Sequence, residues 1–178
     1  MARNFWTCWF YEIRFTWLLI VFMAVFPAVI FGTAFPAMIV LIGSVILGVP
    51  TVLAAVLLIK KSAWRTHMIR RVVVMVVIAA LTAGAVLQAD KLTPTMATPI
   101  AKAIESYKQE AGNYPESLAA LTPKHLSKLP LVRVALIQPE IVYRLKGGHP
   151  YLAVPSAAGD AFSIYEYLFE EERWVHHD

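Results

Sequence analysis

Hydrophobic and polar positions divide this chain into two regimes. From Phe15 to Ile59 there is no Asp, Glu, Lys, Arg or His, and a second uncharged run extends from Val72 to Gln88. A membrane-crossing helix needs roughly 20 mostly apolar residues, so the first run is long enough for two spans and the second for one. The break falls at Gly32-Thr33-Ala34-Phe35-Pro36, where glycine and proline interrupt a helix. The pattern predicts spans at about 15–31, 37–59 and 72–88, with the first two forming an antiparallel hairpin. Pro27 predicts a kink in the first span; such prolines are tolerated where neighbouring groups satisfy the freed carbonyl. Gly43, Ser44 and Gly48 either form a close-packing face or reflect the ordinary glycine content of membrane helices.

After Asp90 the pattern becomes that of a small globular domain. Leu92–Ala97 reads as a linker, with Thr98 as N-cap and Pro99 in the first helical turn. Ile100, Ala103, Ile104, Tyr107 and Ala111 then recur at helical spacing, and Gly112 caps the end. A second short helix is expected from Pro115 to about Leu121, with Leu118 and Leu121 inward. Pro123 and Pro130 bracket one more turn, with Leu126 and Leu129 as its apolar contacts. Strands follow at Ile141–Lys146, Tyr151–Val154 and Ala161–Phe169, with a short last one at Trp174-Val175. Turns are expected at Gly147–Pro150, Ser156–Asp160 and Glu170–Glu172. The fold class is an α-helical membrane anchor of three transmembrane helices, followed by a small α+β extracytoplasmic domain with an antiparallel sheet.

Composition agrees: the 178 residues are 58% hydrophobic, and the mean hydropathy of +0.60 is too high for an ordinary soluble domain. Charge fixes the expected orientation. Up to Arg71 there are seven Lys/Arg against one acid, Glu12, a net +6; from Asp90 onward nine basic and eleven acidic residues give −2. Segment 60–71 holds five Lys/Arg and no acid, so the positive-inside rule keeps it as a cytoplasmic loop. Arg3 and Arg14 put segment 1–14 on the same side, and residues 90–178 beyond the third span on the other. Region 15–89 is thus the membrane part. The basic charges hug hydrophobic segments, where membrane lipids and topology explain them and nucleic acid does not. Phe5, Trp6, Trp9, Phe10 and Tyr11 suit an interfacial belt on a short surface helix. Trp17, Phe22 and Phe26 make the first span too bulky for a cleaved signal peptide. The single cysteine, Cys8, excludes an intramolecular disulfide and reads as interfacial filler.

The stretch Ile100–Lys108, then Gly112-Asn113-Tyr114-Pro115-Glu116-Ser117-Leu118 and Leu121-Thr122-Pro123, then Leu126 and Leu129-Pro130, resembles the soluble domain of type II secretion pseudopilins. The likeness covers about 30 residues of pattern, with compatible strands to the end. It implies a pilin-like domain placed in the periplasm of a diderm bacterium. The membrane part departs from that family. The span before the domain opens Arg70-Arg71-Val72-Val73-Val74-Met75-Val76-Val77, without a prepilin cleavage site or the early glutamate, and two spans precede it. A polymerising subunit is therefore not expected.

Chemistry is sparse. No charged residue falls within a span, which argues against a pump or transporter. His125, His149, His176 and His177 show no zinc-ligand spacing, and the adjacent pair His176-His177 would point to opposite faces of a strand. Gly147-Gly148 reads as a turn, not a phosphate loop, and Ser106, Ser117, Ser127, Ser156 and Ser163 lack a G-x-S-x-G context. No catalytic, metal or cofactor residue is expected, and the protein is read as a non-enzyme. The candidate partner-binding residues are Tyr165, Tyr167, Glu170, Glu171, Glu172 and Trp174, an aromatic strand with the one acidic run. Three roles follow. The first is an inner-membrane protein presenting a periplasmic protein-binding domain, one version being an immunity protein against a secreted toxin. The second is an accessory component of a secretion or pilus-like envelope machine. The third, a lipid-acting enzyme, has no residues to support it.

Overall fold

The computed structural model describes residues 14–58, 62–159 and 162–178. The aromatic cluster at Phe5–Tyr11, Cys8, Lys60 and Lys61 therefore lie outside the described residues. Three helices are long and apolar enough to cross a membrane. The chain divides into two compact units, one running to Val86 and the other Leu87–Asp178.

Helix α1 (Arg14–Phe31) contains one wide turn at Val21–Val25, where the Phe26 amide bonds the Val21 carbonyl. That widening stands one turn before Pro27, whose missing N–H and bulky ring disturb the regular ladder. Gly32, at φ 60°, ends the helix by donating to the Ala28 carbonyl, as the Gly-Thr-Ala-Phe-Pro break predicts. Helix α2 (Phe35–Leu58) and helix α3 (Ser62–Asp90) follow. In this first unit, small residues make the seam. Ala24, Ala37, Ala79 and Ala83 surround Ile20, and Trp17, Leu41 and Met75 pack around them. The two readings of the glycines separate here. A Cβ on Gly48 would stand 2.6 Å from a Val72 methyl, whereas one on Gly43 would meet nothing within 4 Å. Gly48 is thus a close-approach residue and Gly43 is not.

Helix α3 contains the expected third span at 72–88 and corrects the loop expected at 60–71. It begins at Ser62, so most of the basic segment read as a loop forms its first turns. Ser62–Arg71 contains no glycine or proline, and continuing the helix satisfies backbone groups that a loop would leave open. At 1.5 Å per residue its 29 residues extend ~43 Å, more than a hydrocarbon core of about 30 Å.

In the second unit, helix α4 (Thr93–Ala111) starts five residues before the expected Thr98 cap. Both Pro94 and Pro99 suit a first turn, and tertiary contacts choose the earlier one. Thr93 is buried and donates to Asp90 at 3.1 Å, and Ala97 is buried in the core. Thr98 instead lies inside the helix and donates to the Pro94 carbonyl at 2.7 Å. Gly112 caps α4 at φ 76°. The expected helix at Pro115–Leu121 is reduced to a single 3₁₀ turn, Leu118–Leu121, because Ser117 is extended. Leu121 is buried and Leu126 packs on the core, but Leu129 is exposed, contrary to its expected inward role.

Four antiparallel strands complete the unit in the order β1-β2-β3-β4: β1 (Val142–Lys146), β2 (His149–Pro155), β3 (Ile164–Leu168) and β4 (Arg173–His177). The first turn is only Gly147-Gly148, both at positive φ as a tight hairpin demands; His149 and Pro150 already belong to β2. Alternation puts Leu152, Val154 and Tyr167 on one face, against Ile100, Ile104, Leu121 and Val132. The opposite face carries Glu166, whose carboxylate stands 3.0 Å from His177.

Candidate partner-binding site

The aromatic candidates serve the interior of the sheet domain. Tyr167 is buried; its hydroxyl donates to Glu105 of α4 at 3.1 Å, and its ring lies 5.2 Å from Trp174 and 4.9 Å from Phe169. Trp174 donates through Nε1 to the Thr98 hydroxyl at 3.1 Å. These two bonds fasten α4 across β3 and β4. Tyr165 donates to Asp90 at 3.2 Å and tilts against His176 at 4.6 Å. All three lie on the helix-facing side of the sheet rather than on an open aromatic face. Glu170, Glu171 and Glu172 form the exposed β3–β4 turn, as expected, with Glu172 at a left-handed φ of 51° and Glu171 bonded to Arg173.

Register creates the concavity beside that turn. The β2–β3 ladder ends at Leu152↔Tyr167, while β1 stays paired with β2 as far as Lys146↔His149. The β1–β2 hairpin and the end of β3 therefore diverge around a groove of about 680 Å³. Leu145, Gly148, His149 and Pro150 make one wall, and Leu168, Phe169, Glu170 and Glu171 the other. Tyr114 and Tyr167 line it as well, and Glu116, Glu166 and Lys108 are its remaining charges. A hollow of about 300 Å³ shares Lys108, Tyr114 and Phe169 with it, adding Glu105 and Glu172. Lys108 is engaged: its Nζ donates to the Tyr114 hydroxyl at 3.0 Å and lies 4.4 Å from that ring. Aromatic and aliphatic surface with an excess of carboxylates suits an extended segment bearing Lys or Arg. Tyr167, Glu170 and Glu171 thus meet in one groove, Glu172 joins the hollow beside it, and Tyr165 and Trp174 stand apart.

A second cluster was not anticipated from sequence. Asp90, 5% exposed, accepts four hydrogen bonds: Thr93 Oγ1 at 3.1 Å and the Ala157 amide at 3.0 Å on Oδ1, Ser156 Oγ at 2.8 Å and Tyr165 OH at 3.2 Å on Oδ2. The buried Arg133 donates to the Pro155 carbonyl. Burial pushes its guanidinium down from the usual arginine range, and the Asp90 charge opposes that shift. With every oxygen site of the carboxylate filled, the arrangement is a structural latch and leaves no base for a substrate. The sequence signal was a lone acid closing an uncharged run.

Burial pushes the Tyr143, Tyr165 and Tyr167 phenols up to about 12. The Asp90 charge adds to the shift at Tyr165, and the hydrogen bond to Glu105 at Tyr167. Among the described residues no three His, Cys, Asp or Glu side chains converge as a metal site. His176 and His177 diverge across the strand, toward Tyr165 and Glu166 respectively. Comparison with protein-family models, curated proteins and solved structures finds no match.

Proposed function

We propose that this chain is a non-enzymatic inner-membrane protein that presents its C-terminal unit in the periplasm to bind another protein. The three apolar helices supply the anchor, and the basic charge before Val72 sets the orientation, with the N-terminus cytoplasmic. The groove between β2 and β3 carries the reading. It offers an apolar floor and a carboxylate-rich rim, which fit an extended, basic segment of a protein partner. An immunity protein meeting a secreted toxin is one form of this role. The pseudopilin-like spacing around Gly112-Asn113-Tyr114-Pro115 favours the second reading, an accessory component of a secretion or pilus-like machine.

A photo-crosslinking residue placed at His149 of the full-length protein in living cells tests the proposal. The same adduct is expected in the parent and in Glu140→Lys, whose charge lies outside the groove, and is lost in Glu170→Lys/Glu171→Lys. Equal capture in all three sinks the groove reading. A toxin or a secretion component, identified by mass spectrometry, then separates the two roles.

A further inference from the structure

One stretch of the outer unit displays what a folded domain ordinarily hides. Between Lys128 and Glu140 the chain reads Leu129-Pro130-Leu131-Val132-Arg133-Val134-Ala135-Leu136-Ile137-Gln138-Pro139, and its one charge, Arg133, is turned inward. Val132 is fully buried, but Leu131, Val134, Leu136 and Ile137 are 61, 59, 73 and 53% exposed. This display is built into the fold. Gln138 Oε1 accepts from the Val132 and Arg133 amides, both at 3.0 Å, and its Nε2 donates to the Arg133 carbonyl at 3.1 Å and the Ala135 carbonyl at 2.8 Å. A carboxamide has two donors and two acceptor positions, and the loop's own backbone uses all four. The turn is thus stapled with its aliphatic side chains outward, an arrangement that marks an interaction surface.

Its place in the unit says which surface it meets. Arg133 reaches the carbonyl of Pro155, and the next two residues, Ser156 and Ala157, are held by Asp90, the last residue of α3. The Ser156 amide donates to the Ser163 carbonyl at 2.9 Å, and the neighbouring Phe162 is 80% exposed. The loop, through Arg133, and Phe162, through Ser163, are therefore both tied to the segment that holds Asp90, just beyond the uncharged run of α3.

We propose that loop 129–139, with Phe162, is a second membrane contact, resting in the interfacial layer of the leaflet from which α3 emerges. This rests on the reading that α3 spans the bilayer. Lipid fits here because the exposed side chains are aliphatic or phenylalanine and the loop is tied, through Arg133 and Pro155, to the residues that hold the end of α3. Such side chains enter the boundary between headgroups and acyl chains, roughly 5–10 Å deep. Lys128, exposed, precedes the apolar residues and Glu140 follows them, while the exposed Lys91 directly follows Asp90, where a cation suits an anionic headgroup layer.

The test uses full-length protein carrying Cys8→Ser, in proteoliposomes of phosphatidylethanolamine and phosphatidylglycerol. A single cysteine replaces Leu136, Ile137, Lys146 or Leu81 and carries an environment-sensitive fluorophore; nitroxide-labelled lipids serve as quenchers. At Leu136→Cys and Ile137→Cys we expect blue-shifted emission, quenched severalfold more by shallow nitroxides than at Lys146→Cys on the end of β1. Emission at 136 and 137 as wet and unquenched as at 146, with Leu81→Cys quenched by acyl-chain nitroxides, overturns the proposal and leaves the span intact. Dry emission without lipid quenching means that protein covers the loop, which also overturns it. An unquenched label at 81 removes the spanning reading itself, and the proposal with it.

Discussion

Asp90 shows how much can rest on one side chain. Its carboxylate faces four donors in a nearly dry setting, and Arg133 lies close enough to feel its charge. Replacing it with alanine strands the Ser156, Thr93 and Tyr165 hydroxyls and the Ala157 amide, and leaves Arg133 without its counter-charge. Leaving such buried groups unpaired costs about 1–3 kcal/mol each when water cannot reach them, so a loss of at least about 3 kcal/mol is expected. Asp90→Asn retains the shape but must turn its NH2 toward two of the four, and should fall between. Hydrogen exchange at the Ala157 amide, compared across the three proteins, measures this directly. Three tyrosines make the pH dependence definite. Tyr143, Tyr165 and Tyr167 ionise near pH 12 in the fold against about 10 when unfolded, so the unfolded chain releases these protons first. Their contribution is complete below pH 10 and is lost between about pH 10 and 12. Ultraviolet titration should show these phenolates delayed in the folded protein, with Tyr151 raised by burial in the same direction, and all released by urea; Tyr143→Phe should remove one of them. At this scale the sequence was a partial guide. Gly112 and Gly147-Gly148 announced their positive φ, since no other residue adopts it as cheaply. Asp90 offered only its position, because three of its four partners are 66 to 75 residues away and no local pattern joins them.

Elements were legible where one signal dominated and ambiguous where two competed. The three apolar helices and the four-stranded meander followed from run length and alternation. The start of α4 did not, since Pro94 and Pro99 both satisfy the rules for a first turn and buried contacts decide between them. The start of α3 failed for the opposite reason. A cluster of basic residues was read as a loop from its charge, although nothing in Ser62–Arg71 interrupts a helix. The groove had no signature either, because it arises from where the β2–β3 ladder stops. Helix packing gives a sharp contrast between two glycines of α2. Gly48→Leu must displace Val72 and should cost about 1–3 kcal/mol, while Gly43→Leu enters open space and should stay near neutral. Thermal unfolding of the detergent-solubilised protein by circular dichroism distinguishes them. Gln138→Ala should free the Val132 and Arg133 amides, raising their exchange rates with little effect on the sheet.

For the whole molecule, the proposed orientation makes a labelling prediction. In a Cys8→Ser background, a membrane-impermeant thiol reagent applied from the periplasmic side should modify Lys146→Cys and leave Arg65→Cys untouched until the membrane is opened. The reverse pattern would invert the orientation and put the groove in the cytoplasm. The Asp90 latch also has a consequence for assembly. As the chain is made, this carboxylate arrives at the end of α3 long before most of what will hold it. Thr93 follows at once, but Ser156, Ala157 and Tyr165 come only with the last quarter of the sequence. Until then Asp90 stays solvated and the latch cannot close, because such distant pairings bear the entropy of closing a long loop before they are rewarded. The second unit is therefore finished by its later residues gripping its earliest, and a nascent chain that stops short of Ser156 offers that carboxylate only Thr93.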